Sequence, residues 1–517
     1  MTTSPTVSPH HASEDRAGGV RSPVRTAPSP GWTIAFDLLL LVGAIVILHI
    51  AVSGPIPSGG DGGNWLALAR EWLGADVMSA EVVYEPVFIA LLASMLGAFG
   101  LVNALVITAF LSEALLVSAV YLTVRKAGRL PALVAAAMVG AAGYRLEAYA
   151  WGAYPQILAV GFAVLAVWAA VRFVQRGRWV QLVMAVAGAL VVLFTHKLVA
   201  GLMLMAIPAA SAHLLWLERY RRELWKNTAV VVGLVWAVGA FFVWSWFGDS
   251  SAGVEPTLNS LGLGLGEQLR FAFQEAGVPW IIISVLAVVA FSLRAWPRGV
   301  APAVSASFGW LVASVVGFLA LGEPRVLLQA QVALLPAAVV VVWRWWRAMP
   351  AERTRARRAG RLGFAFFGVA LLGSIVLTGL HRYDGAADWY RVAGQRQLEA
   401  MAELSEVVEP GDLAVASRGP NGNPVGWWVE GFAGIPTYTS IDTAFLAFPD
   451  ERAQAEIAAQ LFSSPPEEAA ALMDEIGARF LILDRRGPDA GWLGGGEPVG
   501  LTSLADGTLL ILEVPDG

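Results

Sequence analysis

The sequence predicts an α-helical polytopic membrane protein of about eleven transmembrane helices, closed by a small C-terminal α/β domain. Three observations predict it. Hydrophobic residues make up 56% of the chain and charged residues only 15%, where a soluble domain would carry about 25% charge. The apolar residues recur in runs near the roughly 20 residues that span a bilayer. Past His381 hydropathy falls, and helical and strand-like patterns alternate.

Taken in order, residues 1–31 are rich in Ser, Pro, Thr, Ala and Arg and read as a disordered cytoplasmic tail. That tail is too polar for a signal-peptide core, and no cleavage-like motif follows Trp32–Val52, which reads as an uncleaved first span. Further spans fall at 101–124, 130–143, 154–171, 179–195, 198–217, 227–247, 279–293, 300–321, 325–343 and 362–380. The loops between them divide by charge. One set carries clusters such as Arg125, Lys126 and Arg129, Arg172, Arg176 and Arg178, or Arg344 and Arg347; the other carries only Arg70, Arg145, Lys197, Arg270 and Arg325. The positive-inside bias then puts the amino terminus in the cytoplasm of a plasma-membrane protein, and the loop 54–86 and domain 381–517 outside. The intervening 32–380 is the transmembrane domain. Residues 86–98 (PVFIALLASMLGA) could be a further span or a short helix in the outer leaflet. The second reading is preferred, because a crossing there would place Arg125, Lys126 and Arg129 outside unless 130–143 failed to cross.

The absence of cysteine excludes disulfides and thiolate chemistry. No basic cluster marks a soluble region, so no nucleic-acid partner is expected. Many of the 21 tryptophans lie at the ends of apolar runs, as bilayer anchors do.

The first loop, SGPIPSGGDGGNWLALAREWLGADVMSAEVVYEP, carries Asp61, Asp76, Glu81 and Glu85 and an amphipathic segment, Asn64–Leu73. Asp61 reads as a general base or as a ligand of a divalent cation (Mg or Mn); the plain alternative is a turn residue among glycines. The loop YRLEAYAWGAYPQ adds Arg145 and Glu147, a cation and a second carboxylate facing the same pocket or snorkelling to the interface. His196, Lys197 and Arg325 occupy turns between apolar runs, where a cation needs a partner; an anionic phosphate head group is one, and for Arg325 the neighbouring Glu323 is another. Glu113 lies in mid-span. GLGLGE (262–267) follows no buried strand and reads as flexible loop. GNPVGWWVEGF (422–432) is the most distinctive piece of the soluble domain; Trp427, Trp428 and Glu430 either meet substrate or pack that domain against the membrane loops.

This layout resembles the GT-C superfamily of membrane glycosyltransferases, with distant likeness to protein mannosyltransferases, aminoarabinose transferases and oligosaccharyltransferases. Four ordered features carry the resemblance: the Asp-bearing first loop ending Tyr84-Glu85-Pro86; the span ending YLTVRKAGR followed by a carboxylate-bearing second loop; the FTHKLVAGL turn; and the terminal α/β domain. The resemblance implies a donor sugar on a polyprenyl phosphate or diphosphate. It implies Asp61 as catalytic base or metal ligand and Glu147 as second acidic residue. Lys197, His196, Arg325 and Arg145 would face the donor phosphate, and Tyr84, Glu85, Trp151, Trp427, Trp428 and Glu430 would contact substrate. Trp427-Trp428-Val429-Glu430-Gly431 departs from the WWDxG signature of oligosaccharyltransferases at Val429, which argues against transfer to Asn. The first loop also lacks the Asp-Glu pair of protein O-mannosyltransferases, which leaves metal use open. The expected activity is transfer of a sugar from a lipid-linked donor to a glycan, lipid or protein acceptor at the outer face. A flippase of lipid-linked glycans and a non-catalytic scaffold for cell-wall polymer are the rivals. The first wants more charge inside the spans than Glu113 supplies.

Overall fold

A computed structural model describes residues 31–53, 56–57, 59–80, 82, 84–218, 221–248, 264–322, 324–349, 355–443, 446, 448–495 and 500–514. The expected tail, Glu81 and Glu323 lie outside the described residues.

Among the described residues fifteen helices build the first part: α1 Gly31–Ser53, α2 Gly60–Trp72, α3 Pro86–Phe99, α4 Leu101–Val124, α5 Arg129–Gly140, α6 Gly143–Trp151, α7 Tyr154–Arg176, α8 Trp179–Leu193, α9 Lys197–Leu217, α10 Arg222–Gly248, α11 Leu265–Ser292, α12 Ala301–Leu321, α13 Pro324–Leu328, α14 Gln331–Ala348 and α15 Arg355–Tyr390. Among the described residues seven helices are long and apolar enough to cross a membrane, and four apolar stretches are shorter. The protein is thus a polytopic helical membrane protein. Exposed Leu39, Ile47, Leu319 and Phe366 lie on these long helices, where water-exposed residues of that size would be unfavourable and lipid-facing ones are not.

Contacts fix how the helices run. Asp37 of α1 accepts from Tyr121 (2.6 Å) and pairs with Arg129 (2.7 Å), whereas His49 lies 5.9 Å from Phe110. α1 and α4 are therefore antiparallel, and α4 begins at the end of the bundle where α1 finishes. α3 connects two points on that side. Its 14 residues rise only about 21 Å, short of a hydrocarbon core of about 30 Å. It belongs to the four shorter apolar stretches and not to the seven long helices. α5 stops where Gly140 meets Ile45 and Val117, and α6 completes the climb.

Three element boundaries differ from expectation. The helix placed at 362–380 runs on to Tyr390, with Tyr383 bonded to His49 (3.0 Å) and Arg382 brought near Glu147. The GLGLGE segment is not all loop: Gly264 caps α11, its N–H donating to Glu267 (3.2 Å), and Leu265–Glu267 form the first turn. The helix read over Trp389–Val407 begins only at Gln395 (α16, Gln395–Val407).

The C-terminal domain follows: β1 Ala414–Ala416, α17 Gly426–Trp428 running into a wider turn Val429–Ala433, β2 Thr437–Thr439, α18 Pro449–Ser463, α19 Ala469–Ile476, β3 Phe480–Asp484, β4 Thr502–Asp506 and β5 Leu509–Glu513. The sheet order is β2-β1-β3-β5-β4, with β1 parallel to β2 and β3, and β5 antiparallel to β3 and β4. The strand period of two sorts the side chains. Val415, Leu481, Leu483, Leu510 and Leu512 pack under α18 and α19. Ala414, Ala416, Phe480, Ile482 and Ile511 face the other way and join Leu398, Met401, Leu404 and Trp428 in the apolar core that continues into the helical bundle.

Candidate active site

α2 is a 13-residue helix at the loop end of the bundle. Asp61 is its second residue, so the carboxylate sits in the first turn and not in a glycine turn before it, where the helix dipole favours a negative charge. Both flanks of the helix start are clamped. On one side Trp65 Nε1 donates to Gly152 O (2.6 Å), and Gly152 (φ 102°) packs so closely that a Cβ there would stand 3.0 Å from the Cβ of Asp61. On the other side Trp428 Nε1 donates to Gly59 O (3.1 Å), and a Cβ on Gly63 would strike the backbone of Trp427 and Trp428. Arg70 closes the far end by donating to Phe432 O (3.2 Å).

Around half-buried Asp61 several expected residues converge. Arg325 stacks over Trp151, 4.4 Å from its ring, and its charge reaches both Asp61 and Glu147. Burial raises the Asp61 carboxyl to about 6 against the pull of Arg325. Tyr84, 4.7 Å from Trp65, is pushed up by burial and then by the charges of Glu85 and Asp61. Glu85 and Lys197 form an ion pair (3.6 Å), and burial raises the Glu85 carboxyl. Glu147 is likewise raised by burial, opposed first by Arg382 and then by Arg325. Val87 N donates to Phe194 O (2.9 Å) and ties the start of α3 to the end of α8, just before the turn that carries Lys197 to Glu85.

Three expectations are corrected. Arg145 does not face this pocket: it is buried, ion-paired with Glu113 in α4, and donates to His49 Nε2 (2.9 Å). Arginine has only donors, so His49 Nε2 accepts and Nδ1–H donates to Tyr383 (3.0 Å). His196 is no cation, because burial pushes it down to about 4; it is a neutral imidazole beside Lys197. Trp428 and Glu430, expected at the substrate, are instead buried among protein groups. Trp428 supports α2, and Glu430 accepts from the N–H and hydroxyl of Thr437 (3.1 Å each). Trp427, half-buried, lines a small cavity with Glu430 and Ser79.

Sequence reasoning missed Tyr154, Arg382 and Tyr390. Tyr154 and Tyr390 lie within electrostatic reach of Asp61, and Tyr390 meets Trp151 at 6.1 Å. An unbroken helical pattern past His381 was the available signal for Arg382 and Tyr390. Among the described residues no three His, Asp or Glu side chains gather closely enough to hold a metal ion. Asp61 would offer a divalent cation a single carboxylate, so no step is derived through one.

Glu430 carries a testable consequence. Burial raises its carboxyl from 4.5 to about 8, so the folded protein holds a proton there that the unfolded chain releases. Stability from this site is greatest at low pH and declines as pH rises from about 4.5 to about 8. Glu430→Gln keeps the acceptor and removes the titration. The thermal midpoint of the variant should exceed that of the parent by a margin that widens from pH 5 to pH 8, and flat difference curves would contradict it.

No protein-family model matches the sequence, and no curated protein matches it. Among solved structures, ArnT from Cupriavidus metallidurans in the apo state is similar with a TM-score of 0.56 at 15% identity, over 93% of this chain and 98% of that one. ArnT from the same organism bound to undecaprenyl phosphate gives 0.52 at 13% identity, over 94% and 98%. The chain has the ArnT-like fold.

Proposed function

We propose that the protein is a glycosyltransferase that moves a sugar from a polyprenyl-phosphate carrier to an acceptor hydroxyl at the outer face of the plasma membrane. The observation that carries this reading is a half-buried carboxylate, Asp61, raised to about 6 and set beside Arg325 at the loop end of the bundle. The fold shared with ArnT, seen with undecaprenyl phosphate bound, supports a polyprenyl-phosphate partner. The arginine-rich loops at the opposite end support an outer-face site.

The carrier tail stays in the bilayer, so its sugar emerges at the interface, where α2, α3 and α6 lie. Asp61, ionised near neutral pH, takes the proton of the acceptor hydroxyl. The acceptor oxygen bonds to the anomeric carbon as the bond from that carbon to the phosphate oxygen breaks. The departing phosphate gains negative charge, which Arg325 and Lys197 stabilise. Trp151 holds the Arg325 guanidinium plane in place, and Glu85 restrains Lys197. The test is release of polyprenyl phosphate by purified protein from a panel of lipid-linked sugars; no release from any member rejects the reading.

Arg325→Met should lower kcat/KM for the donor by about 10²-fold, in the range for removing one charge-stabilising donor. It should also move the acid limb of the pH–rate profile above 6, because the cation that pulls the Asp61 carboxyl down is gone. A limb that stays in place would separate Arg325 from Asp61.

A further inference from the structure

α15 is held closely in its second half. At Gly379 the missing Cβ lets it lie against the carbonyl of Ala141, and Tyr383 bonds to His49 (3.0 Å). Nearer its start it stands off: a Cβ added at Gly368 or Gly373 would meet nothing within 4 Å. The gap is a cavity of about 340 Å³ between α5, α11, α14 and α15. Its walls are apolar, among them Met138, Ile283, Val342 and Leu372. Leu130, Phe367 and Val369 line it and are also exposed, so it opens sideways from the bundle. Water does not settle in an apolar cavity, and packed proteins do not keep one of this size empty. Beside a membrane span the occupant at hand is a hydrocarbon chain.

One end of the cavity is different. Arg325, at the candidate active site, precedes α14, and Trp343 and Trp346 lie near the far end of that helix. Trp343 Nε1 stands 3.4 Å from where a Cβ of Gly128 would be, next to Arg129 and away from Asp61. Trp343 and Trp346 line the cavity one turn apart. The Arg347 guanidinium is 5.2 Å from the Trp343 ring, and that of Arg361 is 5.9 Å from the Trp346 ring, which stacks on Phe364 at 6.2 Å. Arg361 also donates to Met349 O (2.6 Å). Trp343 Nε1 and Arg361 Nε are buried without a hydrogen-bond partner. Other buried polar atoms in the helices lack partners too, acceptors as well as donors. These two stand at the rim of a cavity, and both can only donate. Asp37, an acid at this end, is already engaged by Arg129 and Tyr121.

An apolar slot that ends in unused donors beside guanidinium groups matches an anionic lipid, chain inside and phosphate at the rim. We infer that this cavity binds an anionic phospholipid of the leaflet opposite Asp61. One acyl chain lies between α5, α11, α14 and α15, and the phosphate accepts from Trp343 Nε1–H and Arg361 with Arg347 beside it. The polyprenyl carrier of the proposed transfer is not this occupant, since its phosphate has to reach Asp61 at the other end. The site does not depend on that activity. A lipid held here braces the loose half of α15, whose other end brings Arg382 near Glu147.

The experiment uses the purified, delipidated full chain in detergent, to which phosphatidylglycerol, phosphatidylcholine or polyprenyl phosphate is returned. Native mass spectrometry reads bound lipid, and thermal unfolding reads its effect. Phosphatidylglycerol should bind at least about tenfold more tightly than phosphatidylcholine, as hydrogen bonds to a charged group allow, and should raise the thermal midpoint. Gly368→Phe puts a ring into open space in the cavity and replaces a mid-helix glycine by a better helix former. It should fold and lose the bound phospholipid. Trp343→Phe combined with Arg361→Gln should instead keep weak binding and erase the preference for phosphatidylglycerol. Equal binding of the two phospholipids by the parent overturns the inference, as does undiminished phosphatidylglycerol binding in Gly368→Phe. Polyprenyl phosphate bound more tightly than phosphatidylglycerol, and lost in Gly368→Phe, would give the cavity to the carrier tail and overturn it as well.

Discussion

Asp61→Asn should cost about 10²- to 10⁴-fold in the rate of sugar transfer, the usual contribution of a positioned general base, while the protein stays folded and monodisperse. Asparagine keeps the shape and removes the proton acceptor. The pH profile separates this from a merely structural loss. With its carboxyl at about 6, Asp61 is ionised on the alkaline side, so the parent rate should fall about tenfold per pH unit below that value and level off above it. The variant should lack that limb. Stability should move the opposite way. The folded pKa stands above the ordinary 3.8, so the fold favours the protonated acid, and the carboxylate weakens the protein as pH rises from 3.8 to about 6. Above pH 6 Asp61→Asn should therefore melt higher than the parent. A variant more stable and far slower marks a charge kept for chemistry. Undiminished transfer by Asp61→Asn would reject the assignment.

What the sequence disclosed and what it hid divide along physical lines. The apolar runs gave the spans, because burial in lipid leaves a one-dimensional mark. Asp61 was legible, since a lone acid beside glycines and an amphipathic segment stands out in such a chain. Its place inside the first turn of α2 was not, because two glycines disguise a helix start. Arg145 and Arg325 look alike in sequence, each a cation in a short loop. One is neutralised by Glu113 and the other stands over Trp151, and both partners are distant in the chain. His196 reads as a cation until its burial is known. In the soluble domain β3 and β5 announced themselves as apolar runs. β2 is three residues of Thr-Tyr-Thr and β4 is largely exposed, so neither has a pattern to detect.

The WW segment yields the second large effect. Trp428 is fully buried and belongs to the soluble domain, yet its indole N–H holds Gly59, two residues before Asp61. Trp428→Ala should cost about 3–5 kcal/mol, the usual range for removing a buried aromatic. Gly63 and Gly431 bring the two backbones into contact here, so the cavity could not be closed by a larger neighbour without driving the segments apart. Trp428→Phe should be milder for the fold, giving up mainly one hydrogen bond worth about 1 kcal/mol. Its effect on rate should be disproportionate. Gly59 would be free to shift, and a displacement of about 1 Å at a reacting group can cost about 10²-fold. The loss should fall on kcat with little change in KM for the donor, because Arg325 and Lys197 sit on other helices. Equal proportional losses of stability and rate across Ala and Phe would instead make Trp428 ordinary core. A kcat deficit in Trp428→Phe at nearly parental melting temperature would identify the soluble domain as the element that holds the catalytic helix in register.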